Sequence, residues 1–385
     1  MKPAARMQLI QPFHVMALLA RARELEAAGR SIIHMEIGEP DFVTPQPVMD
    51  AGHAALTAGQ THYTPATGLP ALRTRVAMFY RERYGVAVDA ERILITPGAS
   101  AALQLVLACL VNPGDSVLLA DPGYPCNRNF VHLLNGEPVS IPVDAGFAYQ
   151  PTPQQVQEYW AGNTAALLVA SPSNPTGTLL DKATLHDYLD IARAGNGCLI
   201  VDEIYHGLTY GESPPTALSV SDEICVINSF SKYFGMTGWR LGWVVAPQAL
   251  VPELDKLAQN LFLAAPTLAQ HAALRAFDTD NIAILEERRE CFRQRRDYLL
   301  PALRELGFDI PVVPDGAFYL YADCSRFTTD SYAFSQQLLE QAGVAITPGI
   351  DFGNNLPERH VRFAYTTSLE NLQEGVRRLR EYLQL

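Results

Sequence analysis

The sequence predicts an α/β fold: a mainly parallel sheet flanked by helices, followed by a smaller α+β unit. Three observations predict it. Short, nearly continuous apolar runs rich in β-branched residues recur between residues 91 and 246. Several are separated by segments long enough for crossover helices, the rhythm of a parallel sheet covered on both faces. From about residue 250 the pattern turns helical, broken by one short β-like stretch. The composition supports a packed interior: 48% of 385 residues are hydrophobic and 18% charged, which excludes a disordered chain and suggests two or three domains.

The elements follow in order. Lys2 and Arg6 precede the stretch FHVMALLA, but Gln8, Gln11, Pro12 and His14 break the apolar run a signal peptide needs. Val15, Leu18, Leu19, Ala22 and Leu25 fall at helical spacing, so residues 13–29 read as an amphipathic helix ending near Gly29. The expected strands are ILIT (93–96), SVLLA (116–120), PVSIPV (138–143), AALLVA (165–170), CLIVD (198–202), ICVINS (224–229) and LGWVVA (241–246). Crossover helices are expected over 100–111, 153–161 and 181–194. A long charged helix is expected around 281–304, then a β-like GAFYLYA (316–322) and two further helices. In the last helix Thr367 and Glu370 have capping-box spacing, and Leu372, Val376, Leu379 and Leu383 share one face. No run of 18 apolar residues exists, so no membrane span is expected.

Lys plus Arg total 29 against 41 Asp plus Glu, a formal charge of −12. That balance argues against nucleic acid and anionic membranes as partners, while leaving room for a local anion pocket. Six cysteines, none in a C-x-x-C pair, lie partly inside apolar runs. Free thiols in a reduced compartment are expected, with no metal site, and the protein is expected to be cytoplasmic.

Polar punctuation clusters where strands end. PGASAAL follows the 93–96 strand, DPGYP the 116–120 strand, SPSNPTG the 165–170 strand and SFSK the 224–229 strand, while DEIY closes the 198–202 strand. In open α/β sheets ligands bind outside the carboxyl ends of the strands, so five such loops imply one site. Lys232 in SFSKYFGMTGWRLGW is suited to a Schiff base if another cation lies near it. Asp202 follows four apolar residues and needs a buried partner, for which a protonated pyridine nitrogen is suitable. PGASAAL offers backbone amides at a helix N-terminus, a natural phosphate site, with Ser229, Ser231 and Arg240 available to the same anion. Tyr124 could lie flat on an aromatic ring. This set describes a cradle for pyridoxal 5′-phosphate.

These motifs resemble the class I/II aminotransferases, the fold type I family of pyridoxal-phosphate-dependent enzymes, along nearly the whole chain. SFSKYFGMTGWRLGW, with Arg eight residues after Lys, is similar to the family's cofactor-lysine signature. The resemblance implies that Lys232 forms the internal aldimine, with Ser229, Ser231 and Arg240 on the phosphate and Ser100 and Ala101 at the phosphate loop. It further implies that Asp202 pairs with the pyridine nitrogen, Tyr205 and Asn174 contact the phenolic oxygen, and Tyr124 stacks on the ring. IGEPDF (37–42) resembles the substrate loop, with Gly38 facing the substrate carboxylate, and Arg362 in VRFAY matches the arginine that grips it. HYTPATGLPALR (62–73) resembles a segment that crosses a homodimer, Tyr63 touching the phosphate of the partner's cofactor. Cys126, His132 and His206 are assigned ordinary structural roles.

The resemblance implies two domains, a large cofactor-binding one over 46–280 and a small one from 1–45 plus 281–385. The implied activity is transfer of an amino group between an L-amino acid and a 2-oxo acid in two stages, Lys232 acting as base and then acid. A carbon–sulfur lyase of the same fold shares Lys, Asp, Asn and Arg and stays open. The substrate stays open too: Ala99-Ser100 stand where some aspartate-specific relatives carry a lysine, and the side-chain pocket is expected from segments 11–17, 37–42 and 262–267.

Overall fold

Apolar spacing at the start of the chain becomes α1 (His14–Ala27) in a computed structural model that describes all 385 residues. Its Leu18, Ala22 and Leu25 pack on Ile32, Leu339 and Ala345, as the spacing predicts. The carboxylate of Asp351 accepts the amides of His14 and Val15, each at 2.8 Å, and so takes the place of a local cap. Next come β1 (Ile33–His34), α2 (Gln46–Thr57) and α3 (Pro70–Tyr84). Both helices carry Pro in their first turn, where a missing N–H costs nothing.

The alternating region gives β2 (Ile93–Thr96), α4 (Ala99–Leu110), β3 (Ser116–Asp121), α5 (Pro125–Leu133), β4 (Glu137–Pro142), α6 (Pro153–Tyr159) and β5 (Thr164–Ala170). It continues with α7 (Lys182–Ala194), β6 (Cys198–Asp202), β7 (Cys225–Ser229) and β8 (Gly242–Val245). All seven expected strands form, each limit within one residue of its expected position, in one sheet of order β2-β8-β7-β6-β5-β3-β4. The pairs from β4 through β3, β5 and β6 to β7 are parallel; β8 runs antiparallel to both β7 and β2. Every residue of β2, β7 and β8 is buried, which is why these runs lack polar alternation. β4 holds Pro138 and Pro142 and leaves three of its six residues exposed, as an edge strand tolerates. The chain winds one way from β3 to β4, then returns beside β3 as β5 and winds the other way, a switch in strand order that opens a crevice at the carboxyl ends.

Beyond β8 lie α8 (Val251–Leu261), α9 (Thr267–Ala273), the 28-residue α10 (Thr279–Leu306), β9 (Tyr319–Asp323), α11 (Ser331–Gln337), β10 (Val344–Ala345), β11 (Thr347–Pro348), β12 (His360–Ala364) and α12 (Leu369–Leu383). β11, β12 and β9 form an antiparallel sheet in which Arg362 lies between Thr347 and Tyr321. β10 pairs with β1 across the length of the chain. One expectation needs correction. Ser368, not Thr367, caps α12 by accepting the Asn371 amide at 3.2 Å. Glu370 then falls one position too early to reach back, and Thr367 instead accepts the Asn371 side-chain amide at 2.9 Å. Leu372, Val376 and Leu379 are buried as expected. No helix is long and apolar enough to cross a membrane. All six cysteines are free.

Candidate active site

Loops at the carboxyl ends of β2, β3, β5, β6 and β7 meet β12 and the segment after β1 around a cavity of about 600 Å³. It is lined by Gly38, Ser100, Tyr124, Asn174, Asp202, Tyr205, Ser229, Ser231, Lys232, Arg240 and Arg362. Two residues named from the sequence lie outside it. Ala101 is one position further into α4, its amide already turned to the Gly98 carbonyl at 3.2 Å. Tyr63, on the loop before α3, is 84% exposed and does not line its own chain's cavity. The 262–267 segment does not line the cavity within this chain either, whereas residues of 11–17 and 37–42 do.

One end of the cavity is built for an anion. The first amides of α4, at Ala99 and Ser100, have no backbone acceptor, the open donors a helix N-terminus leaves. Gly98 precedes them at φ +84°, and a Cβ there would sit 2.7 Å from Arg240 Nη2. That close approach is the cradle a side chain would fill. Arg240 itself takes a left-handed backbone (φ +53°) and donates Nη1 to the Thr237 carbonyl at 3.0 Å. Strain of this kind persists only where the surroundings enforce it. Ser229 and Ser231 complete the wall, their hydroxyls 2.9 Å apart.

The middle of the cavity holds the titratable groups. Lys232 Nζ donates to the main-chain oxygen of Gly38 at 2.6 Å. Burial, with Arg362 and Arg240 nearby, lowers its pKa to about 8, so the neutral amine is within reach at physiological pH. Asp202, 6% exposed at the end of β6, accepts the Ile204 amide at 3.0 Å. Burial raises its pKa to about 6, the mark of a carboxylate short of a cationic partner.

The cavity also holds a buried guanidinium. Arg362 is 3% exposed; Nη1 donates to Asn174 Oδ1 at 2.9 Å and Nη2 to the Glu36 carbonyl at 2.6 Å and to Thr347 Oγ1 at 3.2 Å, while its Nε has no partner. A buried guanidinium with unspent donors is a seat for a bidentate anion. Because Arg362 takes the oxygen of Asn174, that amide presents its NH₂ as a donor elsewhere.

Phe13, Met16 and Glu39 fall in the segments expected to build the pocket, whereas sequence reasoning missed Leu19 and Arg23 from α1, together with Glu36, Leu103, Thr237 and Tyr319. Leu19 lies beside the core-facing stripe of α1, so its only signal was an apolar face wider than the core required.

The chain matches the family model for aminotransferase class I and II over residues 30–379. The chain belongs to the class I and II aminotransferases. This aminotransferase is similar to valine–pyruvate aminotransferase of Mycobacterium tuberculosis, at 38% identity over 97% of both chains. It is also similar to (5-formylfuran-3-yl)methyl phosphate transaminase of Methanocaldococcus jannaschii, at 35% identity over 98% of both. Among solved structures, an aminotransferase from Mycobacterium tuberculosis superposes with a TM-score of 0.96 at 37% identity, covering 100% of this chain and 99% of the other. The aminotransferase fold thus extends along the entire chain. Its family uses pyridoxal phosphate, and the open amides of α4, the Gly98 cradle and the Asp202 carboxylate, which has no ion pair, fit that group.

Proposed function

We propose that this aminotransferase holds pyridoxal 5′-phosphate in the cavity and works in two stages, taking an amino group from an L-amino acid with an uncharged, apolar side chain and passing it to a 2-oxo acid. The observation that carries the reading is Lys232, an amine with a pKa lowered to about 8, sharing one cavity with an anion cradle and with a buried guanidinium whose Nε has no partner. When bound, the cofactor supplies the aldehyde that accepts the amino group and the ring that takes up the electrons.

The residues divide the remaining work. Ser100 with the open amides of Ala99 and Ser100 at the start of α4, Ser229, Ser231 and Arg240 would hold the phosphate. Asp202 would keep a proton on the ring nitrogen, Tyr124 would cover the ring, and Tyr205 and Asn174 would donate to the phenolic oxygen. Arg362, with Gly38 and Asn174 beside it, clamps the substrate's α-carboxylate, and Lys232 Nζ takes the α-proton and returns it. Phe13, Met16, Leu19 and Ile37 line the same cavity and would wall the side-chain arm, and Met16 is left 53% exposed. Arg23 and Glu39 sit at the rim. The M. tuberculosis relative is named for valine, consistent with such an arm.

We further propose two domains, 46–280 and 1–45 plus 281–385, in a cytoplasmic homodimer. The 84% exposed Tyr63 reaches the partner's site, and Leu261 and Leu263, each 58% exposed, are covered by the partner.

The test is a spectral half-reaction screen. Each amino acid is added alone to the holoenzyme, and loss of the aldehyde-form absorption is timed. Valine, leucine, methionine or phenylalanine should lead. Aspartate or glutamate leading would refute the apolar arm and point to Arg23, while release of pyruvate or ammonia would mark a lyase. Lys232→Ala should retain cofactor through the phosphate contacts and lose turnover. A normal rate in that variant would end the proposal.

A further inference from the structure

Tyr319, in the first position of β9, was read from the sequence only as part of a strand. It is 1% exposed, and its hydroxyl lies 2.8 Å from that of Tyr205. Neither hydroxyl has another hydrogen-bond partner in the protein. The Arg362 guanidinium lies over the Tyr319 ring, 4.2 Å from its centroid. A Cβ on Gly38 would fall 1.9 Å from the Tyr319 hydroxyl and 2.8 Å from its ring carbon, so the absent side chain of Gly38 is the slot that hydroxyl occupies. The carbonyl of the same glycine receives Lys232. Tyr319 therefore touches Arg362, Gly38 and Tyr205, whose ring centroid lies 5.9 Å from Lys232 Nζ.

A phenol has one proton to give. If Tyr205 spent its proton on Tyr319, it would have none for the cavity. The Arg362 guanidinium, 4.2 Å from the centroid of the Tyr319 ring, counters the effect of burial more directly at Tyr319 than at Tyr205, which makes Tyr319 the more acidic phenol and the better donor. A hydroxyl that accepts one hydrogen bond becomes a stronger donor in the next.

We propose that Tyr319 is a positioning residue for the reaction: its hydroxyl donates to Tyr205 and commits the Tyr205 proton to the cofactor side of the cavity, while its ring seats Arg362. The proposal rests on the cofactor assignment above and adds a residue to it. Donation from Tyr205 stabilises a negative phenolic oxygen and so lowers the pH at which the lysine-bound cofactor loses its proton. Removing the Tyr319 donor weakens that effect.

The experiment uses holoenzyme carrying Tyr319→Phe, Tyr205→Phe, both together, or Tyr319→Leu. The visible absorption of the lysine-bound cofactor is titrated with pH, and 3-phenylpropanoate serves as a non-reacting carboxylate for Kd. Tyr319→Phe should raise the titration midpoint by about half a pH unit, roughly what a hydrogen bond relayed through one hydroxyl provides. Tyr205→Phe should raise it further, and the double variant should match Tyr205→Phe alone. Tyr319→Phe should leave Kd within about twofold, whereas Tyr319→Leu, lacking the ring under Arg362, should weaken it about tenfold. A Tyr319→Phe midpoint equal to wild type, a shift that adds to that of Tyr205→Phe, or an unchanged Kd in Tyr319→Leu would overturn the proposal. Wild-type protein that takes up no pyridoxal phosphate would instead defeat the cofactor assignment, with the Kd comparison still deciding the seat of Arg362.

Discussion

His34 bridges two carboxylates. Nδ1 lies 2.7 Å from Glu36 Oε1 and Nε2 lies 3.1 Å from Glu26 Oε1, joining β1 to α1. Glu36 is fully buried and its other oxygen has no partner, so the imidazolium is its counter-charge. The hydrogen bond to Glu36 raises the His34 pKa from 6.5 to about 9 against the cost of burial. At about 1.36 kcal/mol per pH unit, that rise corresponds to about 3.4 kcal/mol. Solvent reaches 31% of the side chain and screens the pair, which brings the expected contribution to about 1–2 kcal/mol. A pKa raised by folding stabilises fully below the unfolded value of 6.5 and is lost as pH climbs through about 9. Replacing His34 with Gln keeps a donor and removes the charge. Denaturant unfolding should therefore show wild type about 1–2 kcal/mol above His34→Gln at pH 6.5, with the gap closed at pH 10. A gap of equal size at both pH values would show that packing, not charge, holds this bridge.

Three other outcomes follow from contacts at the site and beyond it. Gly98→Ala should cost about 1–2 kcal/mol, because its φ of +84° suits glycine, and should weaken pyridoxal phosphate uptake by displacing Arg240; thermal melts and cofactor titration read the two effects. Arg362→Lys should weaken a carboxylate inhibitor about tenfold to a hundredfold, since a lysine cannot satisfy Asn174 Oδ1, the Glu36 carbonyl and a bidentate ligand together; equilibrium titration checks it. Ser368→Ala, far from the cavity, should lower stability by about 1 kcal/mol through loss of the α12 cap and leave turnover unchanged.

The seven strands of the large sheet were legible because strands covered on both faces must be apolar throughout, and ILIT or CLIVD admits little else. The residues at their ends were legible for the related reason that a parallel sheet gathers its loops on one rim. Less was visible wherever a contact is set by distant pairing. β10 and β11 are two residues each and exist only because β1 and β12 lie beside them. Tyr319 meets Tyr205 across 114 residues, and Arg362 meets Asn174 across 188. No local periodicity encodes such a meeting. The misplaced cap on α12 has a smaller cause: Thr367 and Ser368 are both capable caps, and a one-residue difference in where the chain turns decides between them.

The pairing of β1 with β10 also sets a timetable for biosynthesis. Ile33 finds its partner Val344 only after about 310 further residues have been made. At 5–20 residues per second that takes on the order of tens of seconds, during which α1 and β1 have emerged but have nothing to pack on. The apolar stripe of Leu18, Ala22 and Leu25 stays uncovered on the nascent chain for that time, because Leu339 and Ala345 arrive last. The amino-terminal segment that walls the substrate arm is thus among the first parts synthesised and among the last to fold.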